Sequence, residues 1–315
     1  MRALRHWLEY AMVALTTAVT RWLPWRLVQA MGSTLGFLFY ALDGRHRRIA
    51  MNNVAAAFPR KTAAERRRLV RRVFGHFGRL LFEMLKFSGL SRAEMLRRVE
   101  FEGDDRVKAA HARGKGALLF TGHFGCWEIN AMAHGAALWP IGVLARPLDN
   151  VRLHRLLERI RGCTGNFVIY RRGALRRVLK ALAANDAVAI LIDQHIQAPD
   201  AVTVSFFDRP AATTLALAVL AQRTGAPVIP VFATPLAGGR YKLIYEHPVD
   251  PPADDSPEAI RDFTQRCTDV LEMYVRRQPE LWLWMHRRWR DEALPEGRDR
   301  GMFPAAVRES ADRDT

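Results

Sequence analysis

From residue 116 onward the chain alternates short, unbroken apolar runs with longer stretches of helical periodicity. The runs are GALLF (116–120), IGVLA (141–145), NFVIY (166–170), AVAILI (187–192) and PVIPVFA (227–233). Stretches at 126–138, 150–161, 173–184 and 212–224 separate them and repeat their apolar positions every three to four residues. Apolar runs of this length without polar alternation read as strands covered on both faces. Strand and helix in turn predict an α/β domain, with a central, mostly parallel sheet flanked by helices. YKLIYEHPV (241–249) does alternate and reads as an edge strand. Ser256-Pro257-Glu258 is a helix start with proline at the first helical position, and the helix is expected to reach about Arg277.

The first hundred residues have a different texture. Thr62-Ala-Ala-Glu65 and Ser91-Arg-Ala-Glu94 are capping-box patterns, predicting helices near 63–87 and 92–98. Upstream lie two apolar stretches, Tyr10–Val19 and Leu27–Leu42. Neither reaches the ~20 uninterrupted apolar residues of a clear membrane span, and no small-residue cleavage site follows them. Trp7, Trp22 and Trp25 with neighbouring arginines suit a water–lipid boundary. The pattern predicts an interfacial helix pair; two core helices, or one tilted span, would share it. The expected division is a membrane-anchoring segment at 1–44, a catalytic domain at 45–290 and a loose charged tail at 291–315.

Charge narrows the partners. Lys and Arg number 48 against 32 Asp and Glu, a formal net charge of +16, which points to something anionic. Ten of the basic residues fall in 43–72, directly after the apolar stretches. That position favours anionic lipid on a cytoplasmic face. A nucleic-acid partner is not expected, because no helix-turn-helix, zinc or aromatic RNA-binding pattern accompanies the charge. Cys126, Cys163 and Cys267 are widely separated and form no metal or disulfide pattern, which fits a reducing compartment.

One stretch carries chemistry. TGHFGCWE (121–128) follows the run GALLF and opens a helix. His123 then sits at the C-terminal end of a strand, where α/β sheets place their sites. Gly122 and Gly125 bracket it and permit a tight turn. Glu128 falls in the first helical turn, and a folded-back turn would bring its carboxylate to the imidazole. A carboxylate on one ring nitrogen raises the basicity of the other, which can then take a proton from a hydroxyl. A buried histidine held by the turn backbone is the plainer alternative.

TGHFGCWE resembles the H-x-x-x-x-[DE] motif of the glycerolipid and lipid A acyltransferases. Over about residues 7–290 the chain resembles the late lipid A acyltransferases in particular. RHRRIAMNNVAAAFP (45–59), LARPLDNVRLHRLLERIRGCTG (144–165), AILIDQ (189–194), VSFFDRPAATT (204–214), APVIPVF (226–232) and PELWLWMHRRWR (279–290) are similar to that family's blocks, in order. Two places depart from it: the F-F-G block reads F-F-D at Asp208, and 195–203 does not align.

The resemblance implies transfer of an acyl chain from a thioester, on acyl carrier protein or coenzyme A, to a hydroxyl of a membrane glycolipid. His123 would be the general base and Glu128 its orienting, charge-stabilising partner. Arg146 would stabilise the oxyanion or hold a substrate phosphate. Backbone N–H groups around Gly122 and Gly125 would help at the oxyanion. Asp193 would hold a sugar hydroxyl or cap a turn, and Arg209 would bind acceptor phosphate. No metal or cofactor is implied. The expected place is the inner membrane, with the catalytic domain on its cytoplasmic side. Another glycolipid acceptor, such as a mannosylated phosphoinositide, and an inactive membrane scaffold stay open on these residues.

Overall fold

The computed structural model describes residues 2–170, 173–196 and 201–289. Four helices come first: α1 (Arg2–Trp22), α2 (Trp25–Leu42), α3 (Gly44–Ala57) and α4 (Ala63–Phe87). The short α5 (Arg92–Leu96) leads to β1 (Val99–Glu102) and α6 (Asp104–His111). Then follow β2 (Ala117–Thr121), α7 (Trp127–Ala137), β3 (Ile141–Ala145), α8 (Val151–Arg161), β4 (Phe167–Tyr170), α9 (Ala174–Ala183) and β5 (Ala187–Leu191). A hairpin, β6 (Ala201–Phe206) and β7 (Arg209–Thr214), precedes α10 (Ala216–Thr224), β8 (Val228–Leu236), β9 (Arg240–Tyr245) and α11 (Pro257–Arg277).

Seven strands form one sheet in the order β1-β9-β8-β2-β5-β3-β4. All neighbours are parallel except β8 and β9. The expected α/β sheet with flanking helices is therefore present, and β2 lies at its centre. Every residue of β2 is buried, as its unbroken apolar run requires. Both capping boxes form, on Thr62 and Ser91, each closing the first turn of its helix.

Two expectations change. The strand at 240–245 is not at the edge; β1 covers it. VEFE alternates polar and apolar and is only four residues long, so its pairing with β9 is a tertiary effect. The helix expected over 212–224 begins at Ala216, because 209–214 pairs with β6 instead. Phe207 and Asp208 turn that hairpin with φ of 53° and 57°. The turn needs two left-handed residues, which explains glycine in the commoner F-F-G form; Asp208 tolerates the conformation better than most side chains.

The N-terminal helices differ in how they are held. Helix α2 packs closely along α4 through glycines: a Cβ at Gly36 would lie 2.1 Å from the Phe74 carbonyl oxygen, and one at Gly32 2.7 Å from Arg79 Cα. Helix α1 is tied at its C-terminus by Lys86, whose ammonium donates to the Thr20 and Arg21 carbonyls at 3.1 Å. Its outer face carries exposed Leu4, Trp7, Leu8, Met12, Leu15, Val19 and Trp22, an apolar stripe at helical spacing. Among the described residues no helix is long and apolar enough to cross a membrane. The tail expected to be loose, 291–315, lies outside the described residues.

Candidate active site

Strands β2 and β5 pair in parallel through Thr121 and Leu191, so their C-terminal ends emerge side by side. The pairing continues one step beyond, where the Ile192 N–H donates to the Thr121 carbonyl at 3.0 Å. His123 and Asp193 therefore leave the sheet together. The His123 backbone N–H donates to Asp193 Oδ2 at 2.7 Å, and the ring Nδ1 lies 2.8 Å from Oδ1. A carboxylate can only accept, so Nδ1 carries the proton and Nε2 presents its lone pair. Gln194 Nε2 lies 3.4 Å from that nitrogen.

The glycines make this approach possible. A Cβ on Gly122 would come within 3.1 Å of Asp193 Cγ and 2.8 Å of Leu271. Gly125 adopts φ +59°, and a Cβ there would lie 2.0 Å from the Ala233 carbonyl oxygen. Its N–H donates to Leu281 O, and the next N–H, of Cys126, donates to Ala233 O, both at 2.8 Å. The Gly125 N–H expected to face an oxyanion is thus engaged in the fold. Both glycines supply clearance, and the engaged Gly125 N–H is not available as an oxyanion donor.

Asp193 is the partner on the ring, and the expected contact from Glu128 is not. Glu128 begins α7 facing α8, where the Arg161 guanidinium takes both its oxygens, Nε donating to Oε2 at 3.0 Å. Five residues on a turn and a helix start do not return Glu128 to the ring, because the helix carries it sideways. It still acts through space. Burial opposes a charged ring at His123, but the Asp193 charge and hydrogen bond outweigh it, helped by the Glu128 charge, and the His123 pKa rises. Arg161 acts in the opposite sense. Burial likewise opposes the Asp193 carboxylate, and the charge and hydrogen bonds of His123 hold it well below the usual carboxylate range.

The other expected residues are placed apart. Arg146 is exposed just past β3, on the same sheet edge as His123 but two strands away. Arg209 is exposed at the start of β7, its guanidinium 5.7 Å from the Trp289 ring centre. Asp193, read as a sugar ligand or a turn cap, is wholly buried beneath the imidazole. Residues 279–288 supply what the sequence did not suggest. The Trp282 indole N–H donates to Asp193 Oδ2 at 2.8 Å. His286 Nε2 lies 3.1 Å from the Asp193 carbonyl, and the Leu283 N–H donates to the His123 carbonyl at 3.0 Å. The only signal for these contacts was the clustering of tryptophans in PELWLWMHRRWR, which composition alone cannot separate from core packing.

An oriented imidazole with an unprotonated Nε2, at the carboxyl edge of a parallel sheet, can remove a proton from a hydroxyl. Comparison with known proteins gives that chemistry a family. Residues 1–291 match the family model described as bacterial lipid A biosynthesis acyltransferase. The chain is 28% identical to the lipid A biosynthesis lauroyltransferase of Escherichia coli K12, over 93% of this chain and 94% of that one. It is 26% identical to the palmitoleoyltransferase of the same pathway in that organism, over 87% and 88%. It is 22% identical to the phosphatidylinositol mannoside acyltransferase of Mycolicibacterium smegmatis, over 88% and 92%. With a family model matched across nearly its whole length, this chain belongs to the bacterial lipid A biosynthesis acyltransferases.

Proposed function

We propose that this acyltransferase moves a fatty acyl chain from a thioester donor, acyl carrier protein or coenzyme A, to a hydroxyl of a lipid A precursor, with His123 as the general base. The observation that carries the reading is the His123–Asp193 pair, which fixes the tautomer and leaves Nε2 unprotonated. Nε2 takes the proton of the acceptor hydroxyl as its oxygen attacks the thioester carbonyl. The tetrahedral oxyanion collapses with loss of the thiolate, and the imidazolium returns the proton to the sulfur. The products are an ester and a free thiol. Acid–base help of this kind supplies ~10²–10⁴-fold in rate.

Asp193 orients the ring in this scheme. The Glu128–Arg161 pair balances charge beside it, with Glu128 favouring the imidazolium that forms. Arg146, exposed at the sheet edge, receives the developing oxyanion or an acceptor phosphate, and Arg209 is a second phosphate ligand. The apolar stripe of α1, with the basic residues of 43–72 after it, seats the enzyme on the inner membrane, so that the acceptor arrives in the plane of the lipid.

The test is acyl transfer in detergent micelles, with acyl carrier protein and coenzyme A thioesters as donors and a tetra-acylated lipid A precursor as acceptor. Transfer by the wild type, cut by about 10³-fold in folded His123→Ala, is the expected result. Transfer that survives His123→Ala overturns the mechanism. Transfer to a mannosylated phosphoinositide in place of the lipid A precursor overturns the acceptor.

A further inference from the structure

We propose that Trp282 is a positioning residue that sets the protonation of His123 through Asp193. The inference rests on His123 being the base, and concerns a residue separated from substrate by Asp193 and His123. Asp193 Oδ1 faces the His123 ring, whereas Oδ2 receives two N–H groups, from the His123 backbone at 2.7 Å and the Trp282 indole at 2.8 Å. The carboxylate is fully buried, so these donors replace water around it.

The indole cannot swing away. Trp282 is 0% exposed, and its ring lies edge-on to Trp284, His286 and Phe206 at centroid distances of 4.6, 5.1 and 5.3 Å. Its backbone bridges Phe124 in the catalytic turn. Leu281 on one side accepts from Gly125, and Leu283 on the other donates to His123. An indole N–H only donates, so held here it stabilises the anionic carboxylate. It fixes Oδ2, which aims Oδ1 at the ring. It also draws charge toward Oδ2, which weakens the pull of Asp193 on the ring proton.

The other charges around the pair are Glu128, which favours the charged ring, and Arg161, which opposes it. His286 and Arg288 also act on Asp193 through their charges. None of these replaces a hydrogen bond at Oδ2. Without the indole N–H, Asp193 becomes more basic and binds the imidazolium more strongly. The pKa of His123 then climbs, and less of the ring is free base at neutral pH.

The test uses the full chain in detergent, with Trp282→Phe and, as control, Trp284→Phe. Trp284 is equally buried, but its N–H donates to the Pro279 carbonyl at 2.6 Å. The His123 pKa is read by NMR of ¹³C-labelled histidine, assigned by loss of its signal in His123→Ala, and kcat/KM is followed against pH. In Trp282→Phe the pKa and the acidic limb should rise together by about half to one unit, and kcat at the optimum should fall about 10-fold with KM held. Trp284→Phe should lower Tm and leave the pKa in place. An unchanged His123 pKa in folded Trp282→Phe overturns the proposal. If that variant does not fold, 5-fluorotryptophan incorporation into the wild type and into Trp284→Phe serves instead. The more acidic indole N–H should lower the His123 pKa in both, and no shift overturns the proposal. A pKa shift in a chain whose wild type transfers no acyl group would uphold the role of Trp282 and reject the acyl-transfer reading.

Discussion

The His123 turn and the outer face of α1 are held in opposite ways. At the turn, His123, Gly125 and Cys126 each have their backbone N–H engaged by another element, and the Asp193 carboxylate has no exposed surface. On α1, seven large apolar side chains stand in solvent, and the helix is tied by its buried face, by the Asn150 amide at His6 and Glu9 and by Lys86 at its C-terminus. Arg146 and Arg209 resemble α1 in this respect, being long and exposed. The difference teaches where precision is needed. Proton transfer depends on a fixed angle and a dry carboxylate, whereas a membrane or a phosphate is met by groups that can adapt.

The comparison breaks most sharply at Asp193. In Asp193→Asn the amide oxygen would stay where two N–H groups meet, placing the NH₂ against His123 Nδ1. The ring would then carry its proton on Nε2, the wrong tautomer for a base. Turnover should fall about 10³-fold or more while the protein stays folded, as measured by initial rates beside a melting curve. Near-normal turnover would mean that Asp193 only supports the turn.

The pH profile sharpens the same point. The His123 pKa is raised above its ordinary value, so the free base is the minor form until pH exceeds that raised value. The value of kcat/KM should rise with pH through an acidic limb lying above about 6.5. The pairing of charged His123 with Asp193 works the other way for stability, being fully present below about 6.5 and lost as pH passes the raised pKa. A limb below 6 would contradict the paired geometry.

At the adaptable end, Leu8→Glu with Leu15→Glu places two charges in the α1 stripe. Binding to anionic vesicles should weaken by about 10–100-fold, read by co-sedimentation, with little change in Tm. Arg146→Ala should raise KM about 10-fold and leave kcat within a few-fold, if it binds ground state and transition state alike. A loss confined to kcat would assign it to the oxyanion. The smallest effect is expected at the hairpin. Asp208→Gly removes a non-glycine residue from φ 57° and an exposed ion pair to Arg276. Stability should change by less than about 1 kcal/mol in thermal unfolding, because relief of the left-handed strain outweighs a screened surface pair.

Much of this molecule could be read without coordinates. Unbroken apolar runs announce buried parallel strands, because a strand covered on both faces has no polar side to show. The capping boxes at Thr62 and Ser91 are local by nature, and both formed. His123 was legible as a candidate because it stands between glycines at the end of an apolar run, a pattern that a histidine held only by the turn backbone would share. Local pattern failed where pairing was decided at a distance, as in the β6–β7 hairpin and the short edge strand β1.

The partner of His123 belongs to the second kind. Glu128 was the near carboxylate in sequence, and Asp193, seventy residues on, is the near one in space. What the sequence by itself determined was most of the helices and the buried parallel strands, the strand end at which His123 stands and the family to which the chain belongs. Only the tertiary structure decided that β2 and β5 lie side by side, that α7 hands Glu128 to Arg161 and that Trp282 closes over Asp193. Strand order is a property of the whole sheet, set by which apolar faces bury together, and no local run of residues encodes it.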